Sequence, residues 1–299
     1  MYGVAIAPNK FGHVKKILNS GAKLKLILDN LETAKLLLDF ALKNDLNINI
    51  LLEIDCDGHR SGLTPCAPEI VEIAILLKNS PINICGVMTH AGNSYNFSTP
   101  AEILRCADEE RDAVVSSADV LRKLGAKITI VSVGSTPTAL FANDLTGVTE
   151  VRAGNFAFFD LVMHGIGVCE VSELAVSVVT TVIGHQKEKG WIITDAGWMA
   201  LSRDRGTANQ KTDQGYGLVC DMNGAPLGDL IVSAANQEHG IISSRSGKEN
   251  DWTPKLAIGA QLRILPNHVC ATAAQHSGYH LMNLQDGADT YWSRINGWG

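Results

Sequence analysis

Aromatic residues are scarce in this chain, at 6%, and charged residues make up only 19%. So little charge excludes a solvated, unfolded polyelectrolyte. With 45% hydrophobic residues over 299 positions, the chain can build one large core or two smaller ones. Neither sign of charge dominates: 25 basic against 31 acidic residues give a net charge of −6. No basic stripe stands out, which argues against a nucleic-acid partner. Long apolar runs are missing too; "AVSVVTTVIG" is too short to cross a bilayer. The opening "MYGVAIAPNKFG" lacks the basic start of a secretory leader, and its apolar stretch stops at Pro8. The seven cysteines are odd in number and show no CxxC spacing. They read as mostly buried free thiols in a reducing compartment, not as a disulfide framework. The expectation is a soluble cytoplasmic protein with neither membrane nor nucleic acid as partner.

What is present is an alternation. "YGVAIAP", "KLKLILD", "INILLEID", "INICGVMTH", "KITIVSVG" and "EVRAGNFAF" read as strands. Between them "FGHVKKILNSG", "LETAKLLLDFALKND", "APEIVEIAILLKN", residues 100–124 and residues 137–142 read as helices. Asn30 is placed as a helix N-cap, Pro68 near a helix start, and Gly21 as a stop. Strands that alternate with helices and are apolar almost throughout predict a parallel sheet covered on both faces. From about residues 165–168 the pattern changes to β-branched strands with glycine turns, as in "AVSVVTTVIGHQKEKGWIITDAG" and "GYGLVCDMNGAPLGDLIVSAANQEHGII". The chain therefore divides into an α/β domain over 1–165 and a β domain over 166–299.

Polar residues gather where the strands end, as on the active face of a barrel. "EIDCDGHRSG" brings Asp55, Asp57, His59 and Arg60; "GVMTHAGNSY" brings His90, Ser94 and Tyr95. "VSVGSTPT" brings Gly134, Ser135, Thr136 and Thr138, and "VRAGNF" brings Arg152, Gly154 and Asn155. "GSTPT" offers a glycine for close approach, several hydroxyls and a following helix start; it reads either as a phosphate cup or as an ordinary helix cap. Arg60 reads either as a surface arginine or as a hydrogen-bond partner of an anionic ligand oxygen. His90 taken alone reads as a core histidine satisfied by the backbone; Gly92, Ser94 and Tyr95 beside it point to a site. Near the C-terminus, "RILPNHVCATAAQHSGYH" sets His268 and Cys270 two apart on a stretch that reads as irregular and extended. Side chains at i and i+2 of an extended chain share a side, so imidazole and thiol would converge. Spacing alone also allows a buried thiol beside a loop histidine.

Taken in order, "EIDCDGHRSGL", "MTHAGNSY", "VSVGSTPTA", "EVRAGNFAFFD", "TDAGWMALSRDRG" and "PNHVCATA" resemble the D-serine dehydratase and D-threonine aldolase-like family. These are fold-type III pyridoxal-phosphate enzymes related to alanine racemase through its N-terminal barrel. The resemblance runs over nearly the whole chain. It implies a (β/α)8-type barrel followed by a β domain carrying a metal site. It places the cofactor phosphate on Ser135, Thr136, Gly154 and Asn155, and the cofactor's phenolic oxygen near Arg60. Tyr95 and Arg152 fall near the pyridine ring, with His90 and Ser94 in the same pocket. His268 and Cys270 match the pair that holds a divalent metal. A cysteine there, where the aldolases typically have aspartate, favours the dehydratase branch and zinc, with manganese as the alternative.

The implied activity is a lyase acting on D-3-hydroxy amino acids, by loss of water to a 2-oxo acid and ammonia or by retro-aldol cleavage. Racemization is disfavoured because it needs acid–base groups on both faces of Cα and no metal. A homodimer is implied by analogy. One element of the family pattern has no match: the "RPHxKTH"-like segment with the Schiff-base lysine does not occur in these 299 residues, and Lys10 matches a helix position instead. About six strand–helix units are countable where a closed barrel needs eight. The expectation is a barrel short of about its first two βα units, with exposed edges and apolar side chains. Without the lysine, a non-catalytic cofactor- or metal-binding protein is the alternative.

Overall fold

The computed structural model describes residues 3–247, 256–282 and 290–295, and it divides into two compact units, 1–154 and 155–299. The division falls ahead of the expected boundary at 165/166.

The first unit is a five-stranded parallel sheet in sequential order: β1 (Lys25–Leu28), β2 (Ile48–Ile54), β3 (Ile82–Thr89), β4 (Ile130–Val133) and β5 (Glu150–Val151). The crossovers carry α1 (Phe11–Asn19) ahead of β1, then α2 (Leu31–Lys43), α3 (Pro68–Leu77) and α4 (Pro100–Lys123); α5 (Thr136–Phe141) follows β4. Local chemistry sets the helix starts. Asn30 caps α2 by accepting from the Thr33 N–H at 2.7 Å, Pro68 opens α3, and Thr99 with Glu102 forms a capping box at α4.

Strand alternation sorts the side chains. Leu26, Leu28, Ile50, Leu52, Ile84, Val87, Val131 and Val133 pack with the helices in one core. The other face carries Ile27, Leu51, Cys85 and Met88, all buried, so the expected exposure of apolar side chains does not occur there. Nearer the strand C-termini, Glu53 follows Leu51 on this second face at the two-residue repeat.

Two expected strands are shorter than the sequence suggests. "YGVAIAP" forms one parallel bridge, Ala5 to Ile27, because Pro8 opens a 3-10 turn (Pro8–Lys10) that runs straight into α1. "EVRAGNFAF" pairs only at Glu150–Val151, with a last ladder bond from the Arg152 N–H to the Val133 carbonyl at 2.8 Å; the chain then turns into a 3-10 segment at Asn155–Ala157. The described residues therefore show five sheet strands, not six.

The second unit is a closed antiparallel barrel of β6 (Val178–Gln186), β7 (Trp191–Thr194), β8 (Gly217–Cys220), β9 (Pro226–Ala235), β10 (Gly240–Ser244) and β11 (Gln261–Pro266), in the order β10-β7-β6-β11-β8-β9. Val182, Val219, Leu230, Val232, Ile242 and Ile264 fill it. Gly217, at φ +152°, lets β8 approach β11; a Cβ there would sit 2.5 Å from Ile264 Cγ2. Short helices α6 (Leu161–Gly165), α7 (Trp198–Leu201) and α8 (Val269–Ala273) and the hairpin β12 (Gly278–Leu281) and β13 (Thr290–Ser293) complete the unit. Among the described residues no helix is long and apolar enough to cross a membrane. All seven cysteines are free; four are buried, while Cys66 and Cys270 are exposed and Cys56 is intermediate.

Candidate active site

In the first unit, the strand-end groups form one connected network. The loop after β3 presents His90, whose ring Nδ1 is bonded to the Gly134 carbonyl after β4 and whose ring stacks on Tyr95 with centroids 6.1 Å apart. Burial is the main reason the His90 pKa is lowered, so the ring is held neutral with Nδ1–H as the donor. Ser94, fully buried, sits 2.9 Å from the Ser135 hydroxyl and 2.7 Å from the Ala91 carbonyl. Ser135 caps α5 by accepting from the Thr138 N–H at 3.2 Å, and its hydroxyl lies 2.8 Å from that of Thr138. Gly134 permits the crowding: a Cβ there would collide with the Arg152 carbonyl.

Beneath these loops lies a carboxylate that sequence reasoning missed. Glu110 on α4 is 2% exposed. Its Oε1 accepts the N–H groups of Ala91 (3.1 Å) and Gly134 (2.9 Å), and its Oε2 accepts the Thr138 hydroxyl at 2.7 Å. Burial raises its pKa, against the three hydrogen bonds that lower it. The cup is thus partly committed inward: the Gly134 N–H and the Thr138 proton already have a carboxylate partner.

Arg152 reaches back over the sheet to the Ser132 hydroxyl (2.8 Å) and the Thr89 carbonyl, so it is anchored on β4 and β3. Arg60 is half exposed, 3.5 Å from Glu53, a buried carboxylate on β2 whose pKa burial raises. Asn155 differs from expectation. Its side-chain N–H donates to Asp160 at 2.5 Å, and its buried Oδ1 has no partner among the described residues, so this side chain is not a spare donor for an anion. Gly154 is open: nothing lies within 4 Å of where a Cβ would stand. The residues on this unit suit a phosphate through the Ser135 hydroxyl and a close approach at Gly154, and Arg60 offers a cation. The six-residue α5 is too short for its dipole to be the main attraction.

The second unit presents His268 and Cys270, and here the expected geometry is corrected. The stretch is not extended throughout. His268 is the extended N-cap of α8 (φ −134°, ψ 110°), and Cys270 lies inside that helix. The two side chains still meet, through the turn at the helix start: the Cys270 thiol is within hydrogen-bond reach of the imidazole. His268 Nδ1 lies 2.6 Å from Asp204 Oδ2. Contact with Cys270, then Asp204, outweighs burial and raises the His268 pKa to about 9. A carboxylate on one imidazole nitrogen is the arrangement that orients a metal-binding histidine. Among the described residues no group of three or more metal-binding side chains forms.

The loop is held from both sides. Asn267, 1% exposed, donates to Thr207 Oγ1 (2.9 Å) and the Gly215 carbonyl (2.7 Å) and accepts from the Thr207 N–H (2.9 Å). Asp160 caps α6 and accepts the Val269 N–H at 2.9 Å. The segment "TANQKTDQGYG" thus braces the His268 loop.

The chain is similar to known proteins over its whole length. The serine dehydratase domain matches residues 175–282, and the alanine racemase N-terminal domain matches residues 10–162. D-threo-3-hydroxyaspartate dehydratase of Delftia sp. is 46% identical over the whole chain, which spans 79% of that protein. This chain belongs to the D-serine dehydratase family. The solved Delftia structure superposes with a TM-score of 0.96, covering 99% of this chain and 79% of that one. Variants of that enzyme with a histidine, or a cysteine two positions on, replaced by alanine have been solved, the cysteine variant in the metal-free form. D-serine dehydratase of Dictyostelium discoideum is 33% identical over 95% of this chain and 74% of its own length. D-threonine aldolase of Arthrobacter is more distant, at 25% identity, with 89% of this chain and 65% of that protein covered.

Proposed function

We propose that this chain is a pyridoxal-phosphate- and divalent-metal-dependent lyase that removes water from D-3-hydroxy amino acids. The observation that carries the reading is the meeting of His268 and Cys270, with Asp204 set against the imidazole. The higher identity to dehydratases than to aldolases supports elimination over carbon–carbon cleavage. The five parallel strands are read as an arc of the eight-stranded barrel of this fold.

Pyridoxal phosphate, when bound, supplies an electron sink for Cα, and a metal supplies a Lewis acid for a departing hydroxyl. His268 and Cys270 would hold the metal, with zinc favoured by the thiolate. Asp204 fixes the imidazole tautomer, leaving Nε2 for the metal. Ser135, Thr136, Gly154 and Asn155 would receive the phosphate, Asn155 through its backbone. Arg60 would meet the phenolic oxygen. Tyr95 and Arg152 would flank the pyridine ring, Tyr95 braced by His90. Loss of Cα–H and of the β-hydroxyl as water leaves an enamine acid, which hydrolyses to a 2-oxo acid and ammonia. A homodimer and a cytoplasmic setting accompany this reading.

The test supplies the chain with pyridoxal phosphate and zinc and offers D-serine, D-threo-3-hydroxyaspartate and their L-enantiomers. Ammonia and a 2-oxo acid from the D-substrates alone support the proposal. Glycine plus an aldehyde would select the aldolase reading. Binding of both groups without turnover would select the non-catalytic one, and binding of neither would overturn all three.

A further inference from the structure

We infer that Asp160 is a positioning residue that couples the His268–Cys270 pair to the backbone of Asn155, so that a metal on the pair and a phosphate at Asn155 strengthen each other's binding. The inference rests on the pyridoxal-phosphate and metal reading and deepens it.

The first N–H groups of a helix have no partner within it, and the side chain of the N-cap residue usually meets one of them. In α8 that residue is His268, whose side chain makes no capping bond. An imidazole turned onto its own helix start would be lost to a metal. Asp160 takes over the task from 109 positions away: its Oδ2 accepts the Val269 N–H at 2.9 Å. Val269 stands between His268 and Cys270, so this one bond fixes the backbone from which both side chains spring.

The same oxygen holds Asn155. The side-chain N–H of Asn155 donates to Asp160 Oδ2 at 2.5 Å, while Asp160 Oδ1 accepts the Met163 N–H at 3.0 Å. The carboxylate that collects these three bonds is 0% exposed, so breaking any one leaves a buried donor unmet. It also dictates which way the Asn155 amide faces. Turned over, the amide would set oxygen against oxygen; as it stands, its buried Oδ1 has no partner among the described residues.

The segment between the two residues is stiff. The Asn155 carbonyl accepts the N–H groups of Phe158 (2.9 Å) and Phe159 (2.8 Å). Phe159 sits at φ +52°, a conformation that a bulky side chain adopts only where its surroundings compel it. Asn155 and Asp160 therefore move as one body. A ligand that fixes the turn at Val269 fixes Asp160 Oδ2 and, through it, Asn155; a ligand on the Asn155 backbone does the same in reverse. Each favours the one arrangement in which all three bonds are made, so the second to bind finds it already set. Linkage makes the effect equal in both directions.

The experiment titrates the 299-residue chain with pyridoxal phosphate and with pyridoxal, each with and without saturating zinc. The affinity ratio of the two compounds isolates the phosphate. Zinc should raise that ratio about fivefold, and in chelator competition pyridoxal phosphate should raise zinc affinity over pyridoxal by the same factor. Asn155→Ala cuts one arm and leaves the bonds from Asp160 to Val269 and Met163. It should keep its zinc affinity in the absence of cofactor and lose the effect of zinc on the ratio. Asn155→Leu, closer in volume, serves if the alanine variant does not fold. Asp160→Ala should lose both, its zinc affinity falling about tenfold. A residue that merely stabilised the fold would lower both affinities and leave the zinc effect in place. A zinc effect that persists in Asn155→Ala acts through space and overturns the inference, as does a wild-type ratio that zinc leaves unchanged. A wild-type chain that takes up no zinc, or that binds pyridoxal phosphate no better than pyridoxal, overturns instead the reading on which the inference stands.

Discussion

The two units assemble their chemistry by different routes. In the parallel unit the strands are apolar on both faces, and the polar groups stand at their ends, where the loops after β3 and β4 are knitted together by one buried carboxylate. In the barrel unit the core is closed on itself, and the His268–Cys270 pair sits on a single turn after β11, pinned to the Thr207–Gly215 segment through Asn267 and held by Asp160 through the Val269 N–H. The difference teaches where precision comes from. A parallel sheet aligns groups from many strands, so its site tolerates no error in strand register. A barrel can carry a site on one turn, provided that turn is pinned by buried polar side chains.

That contrast can be broken at several strengths. The largest effect should come from the cores. Leu52→Ala in β2 and Leu262→Ala in β11 each remove a side chain that is no more than 1% exposed. Each should cost about 2–5 kcal/mol in urea unfolding. A loss well under 1 kcal/mol from either would contradict a separate, well-packed core in that unit.

Next come the pins of the barrel turn. Asn267→Ala unpairs the Thr207 N–H and the Gly215 carbonyl, and should cost about 1–3 kcal/mol for each group left buried and unsatisfied. Asp204→Ala should leave folding nearly intact but weaken zinc binding about 10–100-fold in chelator competition. Equal zinc affinity in that variant would mean the carboxylate does not orient the imidazole.

The smallest effect lies at the barrel surface. Hydrogen bonds from Ser244, then Ser246, lower the Asp229 pKa from its ordinary value near 3.8 to about 2. A depressed carboxylate contributes stability above its unfolded value and loses it as pH falls, so this contribution is complete above about 4 and fades as pH drops through about 2. Asp229→Asn should remove only that part of the acid limb of the stability profile, with no change at pH 7 beyond the lost contribution.

Much of this was legible in the residues. The β–α alternation, the cap at Asn30, the helix start at Pro68 and the glycine-led turns are local signals, and local signals survive into the fold. "YGVAIAP" misled because strand propensity cannot say whether a partner strand and a free N–H are available; Pro8 decided that. Glu110 went unseen within "DEERD", an acidic run on a helix that reads as solvated. Its phase gave the clue: Ile103, Cys106, Ala107, Ala113, Val114, Ser117, Ala118 and Leu121 are buried on the same face. Asp204 offered no such clue, since it meets His268 across 64 positions of sequence, a distance only the folded chain closes. The convergence of His268 and Cys270 was anticipated for the wrong reason, a strand's alternation, when a helix start supplies it.

The central claim is tested most directly by counting metal. Purified chain, desalted after loading with zinc, should retain one zinc per molecule, and Cys270→Ala carried through the same steps should retain almost none while unfolding at the same temperature. Equal zinc content in the two proteins would contradict the account.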